Sequence, residues 1–150
     1  VLQVTGRQSL FLIDGKAGLL FTNEPGHSPP GDWKKEILPV SQFYRLEKLW
    51  IRHLPVKESL LIRWKGKQIY YLNGKATGSY INSLSQADMV IISHNMPIPI
   101  HQLFQQNHCL DWIADGTNSL WKIQEWKKES EQLHLRFHSV NELGAYRHNF

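Results

Sequence analysis

One cysteine, Cys109, stands in 150 residues. A single thiol excludes an internal disulfide framework and a four-cysteine zinc site. No apolar run approaches the roughly 20 residues a membrane helix needs, and no basic-then-apolar leader opens the sequence. Phosphate-cradling P-loops, dinucleotide glycine fingerprints and zinc-finger spacings are also missing. The eight histidines form neither a His-x-His pair nor a His-Glu-x-x-His helix, so no compact metal-ligand motif is present. The sequence begins VLQVTG with no methionine, which fits a piece cut from a longer chain.

What is present is ordinary for one globular domain: 41% apolar and 20% charged residues, with a formal net charge of +4. Lys and Arg are scattered among Asp and Glu, so the balance permits contact with nucleic acid or another anionic surface without forming a patch. The six tryptophans invite a base-stacking reading. Trp64, Trp112 and Trp126, however, sit inside periodic apolar runs, where core packing accounts for them. Cys109 beside a strand reads as a small buried residue rather than a nucleophile.

The first half reads as strands and turns. LQVTGRQSLFLI and GLLFT flank DGKAG, whose Asp14-Gly15 pair is a strong hairpin signal. ESLLIRW and QIYYL form a second hairpin around Lys65-Gly66-Lys67, with Ile62, Trp64, Ile69 and Tyr71 offering an apolar face. NEPGHSPPGDW is a loop by its Pro and Gly content. FYRLEKLWIRHL fits a strand or a short helix, and its β-branched and aromatic residues favour the strand.

After Leu84 the pattern becomes apolar strand, turn, amphipathic helix, repeated. MVIIS suits a strand buried on both faces, and Pro99 suits the first turn of a helix that directs Ile100, Leu103 and Phe104 inward. LDWIA is the next strand. DGTNS is the turn, and LWKIQEWKKESEQL is a helix with Leu120, Ile123, Trp126 and Leu133 near one face. Lys122, Glu125, Lys128, Glu129 and Glu131 form its polar side, with Lys127 and Glu131 spaced for a pair. LRFHSV alternates as a third strand. The expected fold is mixed α/β: N-terminal β-hairpins followed by a βαβαβ unit with parallel strands, all within residues 1–150.

In open α/β sheets ligands gather beyond the carboxyl ends of the strands. Here that edge carries Ser93, His94 and Asn95, then Asp115, Gly116, Thr117, Asn118 and Ser119, with Asn141 and Glu142 after the third strand. These residues are the candidate ligand or anion site. The DGTNS turn can cap the following helix and present its N–H groups to an anion, although nearly every helix needs a cap. For a metal, the candidates are His94 and Asp115, with His101 expected on the next helix and not beside them, whereas a catalytic zinc site takes three converging protein ligands. Ser93 and His94 are strand neighbours whose side chains are expected to diverge, which leaves no nucleophile with an evident base.

In order, ADMVIISHN, DGTNSLWKIQEWKKE and LRFHSVNELGAY resemble the C-terminal region of ComEC-type competence proteins in the form found in Bacteroidetes. The opening LQVTGRQSLFLIDGKAGLLFT is similar to that region's first hairpin, and the stretch from Asn23 to about Ser59 matches poorly. The resemblance implies the soluble part of a membrane channel for DNA internalisation in the cell inner membrane. It also implies a truncated metallo-β-lactamase-like fold, in which His94 occupies one imidazole position and DGTNS a later turn. That family's His-x-His-x-Asp-His cluster is absent from this sequence. The resemblance and this departure together imply a degenerate, non-catalytic accessory domain with no metal and no cofactor. Its implied partners are the channel portion of the parent chain and DNA, met non-specifically through phosphates, with Lys122 and Asn118 expected to matter before any tryptophan. The alternatives are a metal-dependent nuclease or phosphodiesterase using His94 and Asp115, and an assembly module that never touches nucleic acid.

Overall fold

A computed structural model describes residues 2–4, 7–22, 33–54, 58–74 and 86–149. Two sheets carry the architecture. The first has strand order β1-β2-β3-β4, comprising β1 (Leu2–Val4), β2 (Arg7–Asp14), β3 (Ala17–Thr22) and β4 (Lys48–His53). Its first three strands are antiparallel neighbours, whereas β4 returns parallel to β3 after helix α1 (Trp33–Phe43). The long opening strand expected from LQVTGRQSLFLI is thus two strands that fold onto each other.

The second sheet has the order β5-β6-β7-β8-β9. β5 (Leu60–Trp64) and β6 (Lys67–Asn73) are the expected hairpin. Lys65 and Gly66 both have positive φ, 49° and 76°, in the two-residue turn that matches strand twist. β7 (Met89–Ser93), β8 (Asp111–Ala114) and β9 (Arg136–Ser139) run parallel, joined by α2 (Ile100–Asn107) and α3 (Leu120–Gln132). This is the βαβαβ unit read from the sequence. A short α4 (Val140–Leu143) follows β9.

Side-chain alternation sorts the elements into four layers. Tyr70, Leu72, Val90 and Ile92 point from the second sheet to α2 and α3, where Leu103, Trp112, Ile123 and Trp126 close one core. The intervening residues Ile69, Tyr71, Met89 and Ile91 point the other way and meet Leu10 and Leu12 of the first sheet. Leu20 and Ile37 form a smaller core between the first sheet and α1. MVIIS is buried at every position, as its lack of alternation predicts.

Three local expectations change. Helix α1 covers Lys34–Gln42, a stretch with no assigned element, because internal Pro39 masks its helical pattern. Most of the NEPGHSPPGDW loop lies outside the described residues, and its Trp33 opens α1. On α3 the inward stripe is Lys122, Ile123, Trp126 and Ser130, whereas Leu120 is 62% exposed. Leu120 occupies the first turn, beyond the sheet edge, where an apolar side chain finds nothing to cover it. Lys127 pairs with Glu142 of α4 at 3.6 Å rather than with Glu131.

At the amino end of the parallel strands, Asp88 ties β7 to the β6 hairpin. Its carboxylate accepts from the Gln68 amide at 2.8 Å and from Lys67 Nζ at 2.9 Å. These bonds, the Gln68 amide first, hold its pKa below the ordinary carboxylate value. A depressed folded pKa gives stability that is present above the unfolded value of about 3.9 and is lost as pH falls through the folded one. Asp88→Asn should therefore lower Tm at pH 7, and the gap from the parent should close as the pH is taken below that range, read by thermal melts across pH. A gap that persists in acid would contradict the charge-based account.

Cys109 is buried, and burial pushes its thiol up to about 11. It accordingly carries little thiolate at neutral pH.

Candidate functional site

The carboxyl edge of the second sheet assembles the loops that follow β7 and β8. His94 and Asn95 both have positive φ, 53° and 52°. Two consecutive left-handed residues turn the chain sharply at the strand end, a conformation that costs on the order of 1 kcal/mol per non-glycine residue and needs local compensation. That turn reverses the expected divergence of Ser93 and His94: Ser93 Oγ lies 2.7 Å from His94 Nδ1.

The compensation comes from DGTNS. The His94 amide donates to Thr117 Oγ1 at 2.9 Å, and the Asn95 amide donates to Asn118 Oδ1 at 2.8 Å. In return, Asn95 Oδ1 accepts from the Ser119 amide at 2.7 Å. Asn118 Nδ2 donates to the Ile92 carbonyl at 2.8 Å and lies 3.0 Å from that of Asp115. The Asn118 carbonyl accepts from Asn141 Nδ2 at 2.8 Å, which adds α4, the helix that follows β9 directly. Asn118 is therefore the common node of all three strand ends. Ser119 caps α3, accepting from the Lys122 amide at 3.4 Å.

Beneath these loops runs a chain of hydroxyls. Thr117 Oγ1 donates to Asp115 Oδ1 at 2.6 Å, which leaves its lone pairs for the His94 amide and for Ser93 Oγ at 3.1 Å. Ser93 Oγ also accepts from Tyr71 Oη at 2.8 Å, so the hydroxyl links Tyr71, Thr117 and the His94 ring. Tyr71 Oη also lies 3.5 Å from Asp115 Oδ2.

The arrangement limits what chemistry these groups can do. Ser93 is 0% exposed and Asp115 and Asn118 are each 3% exposed, so a substrate does not reach them without opening the loops. Asp115 Oδ1 takes up three donors, from the Thr117 amide, Thr117 Oγ1 and Asn118 Nδ2. Four backbone amides that an anion would need, those of His94, Asn95, Thr117 and Ser119, donate to side chains of the same rim. Among the described residues, no three His, Cys, Asp or Glu side chains converge as metal ligands. His101 is engaged by Glu129, which accepts from its amide at 3.0 Å and lies 3.2 Å from its Nδ1.

Lys122 is a buried cation. Its side chain is 7% exposed, paired with Glu125 at 2.9 Å, and stands over the rings of Trp121 and Trp126 at 5.5 and 5.4 Å. Trp121 itself is 73% exposed, so accessibility at this edge runs from tryptophan to lysine.

Two participants are not evident from the sequence pattern. Tyr71 looks there like one member of an apolar face; a tyrosine in a strand that turns inward must find a partner for its hydroxyl, and that is the available signal. Gly74 follows β6 directly. A Cβ there would stand 2.0 Å from the His94 carbonyl oxygen, so the glycine admits the His94 turn.

No helix among the described residues is long and apolar enough to cross a membrane. The family model described as the ComEC C-terminal domain matches residues 1–150. No curated protein and no solved structure matches the chain.

Proposed function

Because the chain belongs to the ComEC C-terminal domain family, whose members are membrane proteins of DNA-uptake competence, we propose that it is a non-catalytic accessory domain of a DNA-uptake channel. In this reading it is a degenerate metallo-β-lactamase-like domain of the Bacteroidetes form, held at the inner membrane by the channel portion of its parent. It meets DNA through phosphates without reading sequence.

The observation that carries the reading is the closure of the rim. Asp115 and the four loop amides are occupied by protein partners, so the candidate site Ser93–Asn95 and Asp115–Ser119 acts as a structural lock rather than a reaction centre. Burial of Lys122 and Asn118 reverses the order expected from the sequence, and DNA then meets the exposed groups of α3: Trp121, with Lys127 and Lys128 nearly two turns further on. Lys122 adds positive field from beneath, its charge shared with Glu125.

Phosphate contacts release counterions, so affinity should fall linearly with salt on logarithmic axes, with a slope of about −0.7 for each phosphate neutralised on a single strand. Fluorescence anisotropy of a labelled oligonucleotide, titrated with the protein from about 50 to about 200 mM salt, should show this slope for unrelated sequences alike. No binding at the lowest salt would favour the assembly module. Stoichiometric zinc or manganese in the purified protein, lost in His94→Ala, would replace the proposal with a metal-dependent nuclease.

A further inference from the structure

A second candidate site lies at the far end of the second sheet. Met89 opens β7 and His94 follows its last residue, so features beside Met89 are separated from the rim by the length of the strand. There the two sheets part around a cavity of about 560 Å³. Protein cores are close-packed, with few voids larger than a water molecule, whereas small-molecule pockets occupy roughly 300–1,000 Å³. The space therefore has the size of a binding pocket rather than of a packing defect.

Its chemistry is divided. The floor is aliphatic: Leu10 and Leu12 from β2, Ile69 from β6 and Met89 from β7. Lys65 and Arg147 add cationic side chains to the lining, and no carboxylate lines the cavity among the described residues. Lys65 meets Asp14 in an ion pair whose partners are each about half exposed, an arrangement worth little. The Arg147 guanidinium lies over Phe43 and Tyr44 at 5.6 and 5.4 Å and makes no ion pair among the described residues. It is thus held at the cavity with its hydrogen-bond donors available to an anion.

We propose that this cavity binds a single-chain amphiphile with an anionic head, its alkyl chain on the Leu10–Leu12–Ile69–Met89 floor and its carboxylate or phosphate between Lys65 and Arg147. On the floor itself a nucleobase would bury its polar edge against aliphatic carbons, at a cost an alkyl chain does not incur; the aromatic and polar groups of the lining, among them Tyr44, Trp64, Tyr146 and His148, make a nucleotide the competitor the test includes. The site shares no residue with the rim, so its failure would leave the reading of the rim untouched, and the converse also holds.

The test is calorimetric titration of the whole chain with dodecanoate below its micelle concentration, with dodecyltrimethylammonium as the same tail under opposite charge. Saturable one-to-one binding of dodecanoate, at least tenfold tighter than the cation, is the expected result. Arg147→Glu and Lys65→Glu, both at exposed positions, should each weaken it by about tenfold while circular dichroism stays unchanged. Leu12→Trp, which fills the floor, should abolish it. If that variant does not fold, Met89→Phe serves the same purpose.

Flotation with phosphatidylglycerol and phosphatidylcholine vesicles separates the sources. Dodecanoate binding without flotation assigns a free amphiphile, and flotation on the anionic vesicles that dodecanoate competes away assigns a membrane lipid. Equal affinity for the two head groups would overturn the proposal. So would indifference to both floor substitutions, or preferential binding of thymidine monophosphate.

Discussion

Asn118→Ala should destabilise the protein by about 3 kcal/mol, the largest effect expected for any polar substitution at the rim. Its amide donates to the Ile92 carbonyl out of solvent and accepts from the Asn95 amide in a part-buried bond, both at 2.8 Å. Truncation removes both bonds and the 3.0 Å contact of Nδ2 with the Asp115 carbonyl, each worth about 0.5–1.5 kcal/mol, while the Ile92 carbonyl keeps the Asp115 amide as a donor. Asn118→Asp keeps the size and the acceptor but replaces the donor by an oxygen facing Asp115 Oδ1, which lies 3.2 Å from Nδ2. It should be at least as damaging. Chemical denaturation with two independent probes would check both. A loss below about 1 kcal/mol for the alanine variant would mean that the loops hold together without this node.

Gly74→Ala should have a comparable effect through a different physical route. The added methyl would lie 2.0 Å from the His94 carbonyl oxygen and 2.9 Å from its carbon. Both are backbone atoms that cannot swing aside, so the left-handed His94–Asn95 turn has to move as a unit. Overpacking of this kind costs about 1–3 kcal/mol. It should also pull the His94 ring from Ser93 Oγ. Nitrogen-correlated NMR of the imidazole reads the second consequence directly: the parent should show one tautomer, fixed by the Ser93 contact, and the variant should show tautomer exchange. An unchanged imidazole spectrum in a destabilised variant would locate the strain elsewhere.

Much of the fold is legible in the sequence because its signals are local and periodic. The fully buried β7 follows from an apolar run without alternation, and the β5–β6 hairpin follows from Lys65-Gly66 between two strands. The carboxyl-edge location of the candidate site follows from parallel strands alone, and the structure places all of Ser93–Asn95 and Asp115–Ser119 at that edge. What those residues do there is not legible. A positive φ at His94 has no composition signal, so the ring's return to Ser93 stays hidden until the backbone is seen. Likewise, Lys122 looks like one member of a polar stripe. Only its place on the stripe of α3 that is buried, with Ile123, Trp126 and Ser130, and its ammonium over two indoles distinguish it from Lys127 and Lys128. Helix α1 is hidden because Pro39 breaks the pattern by which a helix is recognised.

The outer strand of the first sheet, β4, has one side unclaimed by any other strand among the described residues. Such a margin is a template for recruiting a second copy, and proteins guard it with charge. Lys48 and Arg52 are exposed along it and bracket the half-exposed Trp50. Two copies abutting antiparallel there would bring cation against cation. Self-adhesion into fibrillar or disordered deposits is thereby discouraged while the indole stays at the surface.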